Sequence, residues 1–364
     1  MNPVSKNKKK ILGQFFTTNQ EYILQGLSIP DNTSTIIEPF AGNGDLIPFI
    51  ENFRSKRNET DEPNPVVIEY FDIEPHLPFI IQQDTILNPP VYRNKFIITN
   101  PPYLARNKSK DKTLFDKYGV NDLYKCLIKE ITDGQNTCCG GILIIPLNFW
   151  SSIRIADMEL RKAFLEKYSV VLLNIFEETV FEDTSYTICS FQFVAKIQTY
   201  PQQDNRVSVI VFPSKTTIET VLEEKNNYMI GGEIYQLPLK NNYRITRITS
   251  KNLEKANTHI LVKCIDDNQN SPIGLSIVEP DKIYVDETPN QTARTYASLI
   301  IEPPINNEQQ VRLVEKFNRY LEIQRRKYCS LFLTNYRESK DIARKRISFD
   351  LVYSLIEYIL ENGD

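Results

Sequence analysis

The sequence is poor in the residues that build metal centres and disulfide frameworks. It has only two histidines, His76 and His259, and its six cysteines include no C-x-x-C pair. That spacing argues against a zinc site. Scattered thiols fit a reducing compartment. No apolar run approaches membrane-spanning length, and the Lys-rich amino terminus is not followed by a signal-length apolar segment. The expectation is a soluble, cytoplasmic protein without membrane association and without metal. Neither sign of charge dominates: 43 Lys and Arg stand against 46 Asp and Glu, a formal net charge of −3. A nucleic-acid partner would therefore have to be met by a local patch. Glycine is scarce at 12 of 364 residues, so the glycines that do occur in turns carry weight.

What is present is a normal complement of core-forming residues, 41% hydrophobic and 11% aromatic. Apolar segments Thr35–Glu38, Val66–Phe71, Phe79–Ile81, Lys95–Thr99 and Gly141–Pro146 read as strands. They alternate with helical patterns, including Leu46–Phe53, Asp122–Ile131 and Met158–Tyr168, which argues for a doubly wound α/β sheet. Val170–Phe176 and Thr187–Lys196 follow with no helix between them, so one of them is expected to run antiparallel. Residues 54–65 and 104–120 read as loops, the second as a mobile one. The pattern weakens at the polar stretch around Pro201. A boundary is placed there, giving domains 1–200 and 201–364.

One strand ends in Asn100-Pro101-Pro102-Tyr103. Two prolines cannot continue a ladder, and the residue before a proline is held extended. A polar amide thus sits on a stiff turn at a strand's carboxyl end, where open α/β sheets bind ligands. The Asn100 side-chain oxygen and the Pro101 carbonyl could accept both hydrogens of a planar –NH2 group, while the Tyr103 ring stacks on the flat system bearing it. Two acceptors localise the lone pair of a poor nucleophile.

Glu38 to Gly44 lies between a strand and a helix. It is not G-x-G-x-x-G, and no Lys follows as in a P-loop. Asp72 ends the next strand, placed to accept ribose hydroxyls, with Glu69 or Glu74 as alternatives. Asp84 follows the third strand and could accept an adenine amine. Acids at successive strand ends suit a nucleoside without phosphate. S-adenosylmethionine meets that description and carries a methyl electrophile for the amine at Asn100.

These residues resemble the gamma class of DNA adenine-N6 methyltransferases of type II restriction–modification systems, over most of residues 11–196. Gln14-Phe15-Phe16-Thr17 resembles that family's amino-terminal cofactor motif, Glu38–Gly44 its main cofactor motif, Asn100–Tyr103 its catalytic motif and Asp122-Leu123-Tyr124 the helix that follows. Phe181-Glu182-Asp183-Thr184 resembles the segment that supplies a second aromatic. The resemblance implies a Rossmann-like methyltransferase sheet with a terminal antiparallel strand, and a smaller mixed carboxyl-terminal DNA-recognition domain. It implies Asn100, Pro101, Tyr103 and Phe181 as catalytic residues, Phe181 stacking opposite Tyr103 on a flipped-out adenine. It implies Phe16, Thr17, Glu38, Phe40, Ala41, Gly42, Asp72, Ile73, Asp84, Thr85 and Asn100 as the S-adenosylmethionine site.

The carboxyl-terminal third is motif-poor. Between Arg312 and Arg346 it holds eleven Lys and Arg against four Asp and Glu. Arg325, Arg326, Lys327, Arg337, Arg344, Lys345 and Arg346 are the expected contacts to phosphates, with double-stranded DNA as the partner. A separate cognate restriction endonuclease acting on the same site is a further partner the resemblance allows. N-P-P-Y also occurs in enzymes that methylate RNA or a protein glutamine amide, and these stay open as alternative acceptors. The release-factor enzymes among them carry a helical domain ahead of the cofactor motif, where only about 35 residues stand here. A non-catalytic subunit would be expected to lose N-P-P-Y, and a fused nuclease has no room before residue 11.

Overall fold

Residues 17, 19–58, 65–181, 186–196, 204–267, 270–287, 295–335 and 345–362 are described by the computed structural model. The chain divides into two units, one ending at Leu222 and the other beginning at Glu223.

The first unit is built on a nine-stranded sheet of order β3-β2-β1-β4-β5-β7-β6-β8-β9. Its strands are β1 Thr35–Glu38, β2 Val67–Asp72, β3 Ile81–Gln82, β4 Phe96–Thr99, β5 Gly140–Pro146, β6 Tyr168–Phe176, β7 Ile188–Ala195, β8 Arg206–Phe212 and β9 Thr216–Val221. The helices of this unit are α1 Gln20–Ile23, α2 Ile47–Asn58, α3 Thr113–Tyr118, α4 Leu123–Thr132, α5 Asn148–Ser151 and α6 Ile155–Lys167. Strands β1 to β5 pair in parallel. β7 is the reversed strand, antiparallel to both β5 and β6. The result is a mixed α/β sheet, parallel through β5, with one reversed strand inserted between β5 and β6. Every residue of β4 and β5 is buried, as continuous apolar runs in a doubly covered parallel sheet should be. Each large side chain so buried contributes roughly 1.5–3 kcal/mol.

The sheet does not stop near residue 200. β8 joins β6 in parallel and β9 joins β8 antiparallel, so the first unit reaches Leu222, beyond the boundary that Pro201 suggested. The buried–intermediate alternation of β8 is that of a half-buried strand.

Residues 19–28 are stitched onto β6 and β7. The Asn174 amide donates to the Gln25 carbonyl at 2.7 Å, Ser28 N–H donates to Gln192 Oε1 at 3.0 Å, and the Ser190 hydroxyl donates to the Ile23 carbonyl. The Tyr22 ring packs against Phe176 and Phe212. This anchoring is what delivers Thr17 to the carboxyl edge of the sheet.

In the second unit, β10 Arg244–Arg247, β11 Ile260–Lys263, β12 Gly274–Ile277 and β13 Tyr296–Glu302 form an antiparallel sheet of order β10-β13-β11-β12. The long helix α7, Asn307–Tyr328, starts with a capping box in which Asn306 and Gln309 satisfy each other's backbone N–H groups. Its Asn318 amide bonds both N–H and C=O of Leu275 on β12. A short pair, β14 Thr334–Asn335 with β15 Lys345–Arg346, and α8 Phe349–Asn362 complete the unit. Among the described residues no helix is long and apolar enough to cross a membrane.

Candidate active site

β3, β2, β1 and β4 are neighbours, and all four release the chain at the same edge. That edge carries Asp84, Asp72, Glu38 and Asn100 in spatial order. The loops there enclose a cleft of about 230 Å³ lined by Thr17, Glu38, Asp45, Asp72, Asp84 and Asn100, among others. Phe40, Ile73 and Ile86 supply apolar walls. Residues from positions 17 to 123 thus converge on one cavity. Ala41, Gly42 and Thr85 also line it.

The loop after β1 is shaped by Asp72. One carboxylate oxygen of Asp72 accepts from Gly42 N–H at 2.7 Å and the other from Glu74 N–H at 2.8 Å. Gly42 adopts φ 52°, a region open to glycine, and this turns its N–H onto the carboxylate. Thr85 reaches back to donate to the Pro39 carbonyl at 2.8 Å. Asp84 Oδ1 accepts from the N–H groups of Ile86 and Leu87, which fixes the carboxylate at the cavity wall. Glu69 is engaged elsewhere, in an ion pair with Lys95 at 2.7 Å. Neither Glu69 nor Glu74 lines the cavity, whereas Asp72 does.

Glu38 is 1% exposed, and its Oε2 is buried without a hydrogen-bond partner among the described residues. Burial raises its pKa well above the ordinary carboxyl value, and the nearby Asp45 and Asp72 charges push it the same way. Glu38, Asp45, Asp72 and Asp84 gather on this one cavity, and among the described residues no Lys or Arg lines it. A cationic ligand suits it and a phosphate does not.

Asn100 is held from two sides. Its Nδ2 donates to Thr17 Oγ1 at 3.1 Å, and the Tyr103 hydroxyl lies against its Oδ1 and 2.8 Å from the Ile144 carbonyl. The turn leaving Pro102 is anchored by Asp122, whose Oδ1 accepts from Leu104 N–H at 3.0 Å.

The aromatic residues depart from expectation. Tyr103 is only 2% exposed and does not line the cavity. Its hydroxyl points inward, and its ring stands edge-on between Tyr124 and Tyr186, with centroids 6.1 and 6.2 Å away. Phe181 is likewise buried and does not line the cavity. Tyr186, which sequence reasoning passed over, is the ring beside Tyr103. In this arrangement neither Tyr103 nor Phe181 offers a face to a planar ligand in the cavity.

The segment after Asn100 is organised rather than open. Arg106 bonds Asp116, and Asp111 accepts from both Thr113 N–H and Thr113 Oγ1 ahead of α3. Phe115 is buried. Ser109, Asp111, Leu114 and Phe115 all line the cavity. Only the Leu114-Phe115 pair gave a sequence signal, an apolar anchor among charges.

Of the other expected site residues, Phe16, Arg337 and Arg344 lie outside the described residues, as do Glu182, Asp183 and Thr184. The basic cluster of the second unit is largely committed to the fold. Arg325 forms an ion pair at 2.8 Å with Asp267, which is almost wholly buried, and also donates to the Ile273 carbonyl. Lys345 is buried and donates to the Cys329 carbonyl at 3.1 Å. Arg346 donates to Thr334 Oγ1 across the β14–β15 pair. Arg325 and Lys345 are thus removed from the expected phosphate surface, because buried cations must be paired. Arg326 and Lys327 remain largely exposed. Among the described residues no group of three or more His, Cys, Asp and Glu could hold a metal.

Asp122 yields a pH-dependent prediction. Burial raises its pKa from 3.8 to about 7 despite Lys125 and two backbone N–H groups. Below pH 4 both folded and unfolded chains hold the proton, and the stability linked to this group is complete. As pH rises through about 7 the folded chain must ionise a buried acid, and that stability is lost. Asp122→Asn keeps an acceptor for Leu104 N–H and has nothing to ionise. Its melting temperature is expected to exceed the parent's at pH 8, with the gain shrinking to nothing near pH 4. A gain that is independent of pH would contradict the assignment.

No family model matches the chain, and no curated protein matches it. Solved structures do. A modification subunit assigned to a type I restriction enzyme from Vibrio vulnificus YJ016 matches at 13% identity and TM-score 0.42, covering 56% of this chain and 48% of that one. The methyltransferase subunit of a type I restriction–modification system from Streptococcus thermophilus matches at 15% identity and TM-score 0.39, covering 55% of this chain and 47% of that one. The M protein of the type I restriction enzyme EcoKI matches at 13% identity and TM-score 0.38, covering 89% and 70%. The chain spans about half the length of the first two.

Proposed function

We propose that this chain transfers the methyl group of S-adenosylmethionine to an exocyclic amine held at Asn100 and Pro101, with N6 of a flipped-out adenine in duplex DNA as the acceptor. The observation that carries this reading is the single cavity that joins acids at three successive strand ends to the Asn100 amide.

The residues fit the cofactor. On this reading Asp84 accepts from an adenine amine, Asp72 accepts from ribose hydroxyls, and the ring meets Phe40, Ile73 and Ile86, all of which line the same cavity. Glu38, Asp45 and Asp72 give the far end the negative charge that an ammonium and a sulfonium require. When bound, S-adenosylmethionine supplies an electrophilic methyl carbon. Asn100 Oδ1 and the Pro101 carbonyl accept the two amine hydrogens and localise the nitrogen lone pair as positive charge develops on it. Much of the rate then comes from alignment of the reacting atoms.

The acceptor is assigned from the order of motifs, with the amino-terminal cofactor segment ahead of the glycine turn and N-P-P-Y after it. Extrusion of adenine requires two ring faces, each worth about 1–3 kcal/mol. On this reading Tyr103 and Phe181 reorient when the base enters, and Phe181→Ala weakens base capture as read by 2-aminopurine fluorescence. The second unit serves as the target-recognition domain, with Arg326 and Lys327 among its phosphate contacts, and a cognate nuclease shares the site.

Cofactor binding should depend on pH. Glu38 holds its proton to higher pH than an ordinary carboxyl. A cation in the cavity favours the ionised form, so binding releases a proton and affinity rises with pH. Calorimetry with S-adenosylmethionine between pH 5.5 and 8.5 (a span of about three units around neutrality) is expected to show this rise. Glu38→Gln is expected to flatten it and to weaken binding by about tenfold or more. A pH-independent affinity in the parent protein would refute the role.

A further inference from the structure

Thr17 belongs to the amino-terminal segment whose resemblance assigns it to the cofactor, yet its polar atoms are spent differently. Its backbone N–H donates to Asp45 Oδ2 at 2.9 Å. Its Oγ1 accepts from Asn100 Nδ2 at 3.1 Å, across 83 residues of sequence. The side chain is buried at 3% exposure, and the two residues share the cavity wall.

An asparagine amide has a donor end and an acceptor end on one carbon, and rotation by half a turn exchanges them. Only one orientation can serve an incoming amine, because two N–H groups facing two N–H groups repel. Thr17 Oγ1 holds the donor end of Asn100 on one side. On the other, the Tyr103 hydroxyl meets Oδ1. The single Tyr103 proton lies between two acceptors, Asn100 Oδ1 and the Ile144 carbonyl on β5, and it sets the amide when it points to Oδ1. Each hydroxyl alone could act as donor or acceptor; together they bracket the amide and oppose its rotation.

We infer that Thr17 is a positioning residue for Asn100: its hydroxyl accepts from Nδ2 and so fixes which end of the amide is the donor and which the acceptor. The inference rests on the methyl-transfer reading and adds a residue and a role to it. It also ties the acceptor side of the site to the cavity through one residue, since the Thr17 backbone N–H donates to Asp45 in the cavity.

Thr17→Val keeps the shape and removes the hydroxyl, and Thr17→Ser keeps the hydroxyl. Steady-state methylation is measured with the full chain on whichever acceptor the parent protein methylates, alongside calorimetric binding of S-adenosylmethionine. Thr17→Val is expected to lower kcat about 10- to 100-fold, with the cofactor Kd changed by no more than about fivefold. Thr17→Ser is expected to restore kcat to within about threefold of the parent. A Thr17→Val enzyme with the parent's kcat, or a loss carried wholly by Kd or KM, overturns the inference. So does a Thr17→Ser enzyme as slow as Thr17→Val. A parent protein that methylates no acceptor overturns the methyl-transfer reading, and the inference falls with it. A parent active on RNA or a peptide overturns the DNA assignment alone.

Discussion

Replacing Asn100 by Ala is expected to reduce methyl transfer at least about a hundredfold, the scale of losing one preorganised partner of transition-state charge, while leaving the cofactor Kd within a few-fold of the parent value. The reason lies in the division of labour within the cavity. Asp72 and Asp84 are fixed by backbone N–H groups on the loops around β1, β2 and β3, and none of those bonds involves Asn100. Asn100, by contrast, is bonded to Thr17 and Tyr103 and not to either acid. The measurement is single-turnover methylation with labelled S-adenosylmethionine, paired with calorimetry. An Asn100→Ala protein that keeps full activity would remove the residue from the chemistry. One that no longer binds cofactor would show instead that the amide holds the cavity together through Thr17.

Arg325→Ala is expected to destabilise the second unit by about 3–5 kcal/mol, the range for breaking a buried ion pair by removing one partner. Asp267 would be left buried with its charge. In the parent it accepts from Arg325, from the Ser330 hydroxyl and from Ile273 N–H. These bonds and the Arg325 charge hold its pKa below the usual value against its burial. Arg325→Lys should recover little, since an ammonium cannot reproduce the planar two-point contact. Arg326→Ala, one residue on, removes a largely exposed side chain paired on the surface with Glu322 and should cost no more than about 1 kcal/mol. Urea unfolding of the three variants separates these cases. Equal midpoints for Arg325→Ala and Arg326→Ala would mean that the pair with Asp267 is not formed.

That contrast shows what the sequence could and could not disclose. Arg325, Arg326 and Lys327 are consecutive and look alike in composition. Arg325 differs because Asp267, 58 residues earlier, meets it in space, and no local pattern announces such a partner. Lys345 was hidden in the same way. The sheet was legible because its strands are short apolar runs closed by Asp, Asn or Pro. The reversed strand was legible because no helix separates β6 from β7. β8 and β9 were missed because Pro201 and the polar stretch around it resemble a domain boundary, although Arg206–Phe212 already alternates as a half-buried strand does. The cavity acids were legible because strand ends at one sheet edge must converge. The fixed segment around Phe115 was not, since its order comes from Arg106–Asp116 and from the bonds of Asp111 to Thr113 rather than from apolar periodicity. Tyr103 was read for its ring, but here its hydroxyl holds Asn100 and its ring is packed edge-on.

The central claim is that an amide on a proline-stiffened turn takes hold of an aromatic amine beside a methyl donor. The most direct measurement incubates the purified chain with S-adenosylmethionine carrying a labelled methyl group and, in parallel, duplex DNA, RNA and a glutamine-bearing peptide, then digests each and identifies the labelled species. The account expects label on N6 of adenine from DNA and none in the Asn100→Ala control. Label on RNA or peptide alone would contradict the DNA assignment, and no label on any acceptor, with cofactor bound, would contradict the chemistry itself.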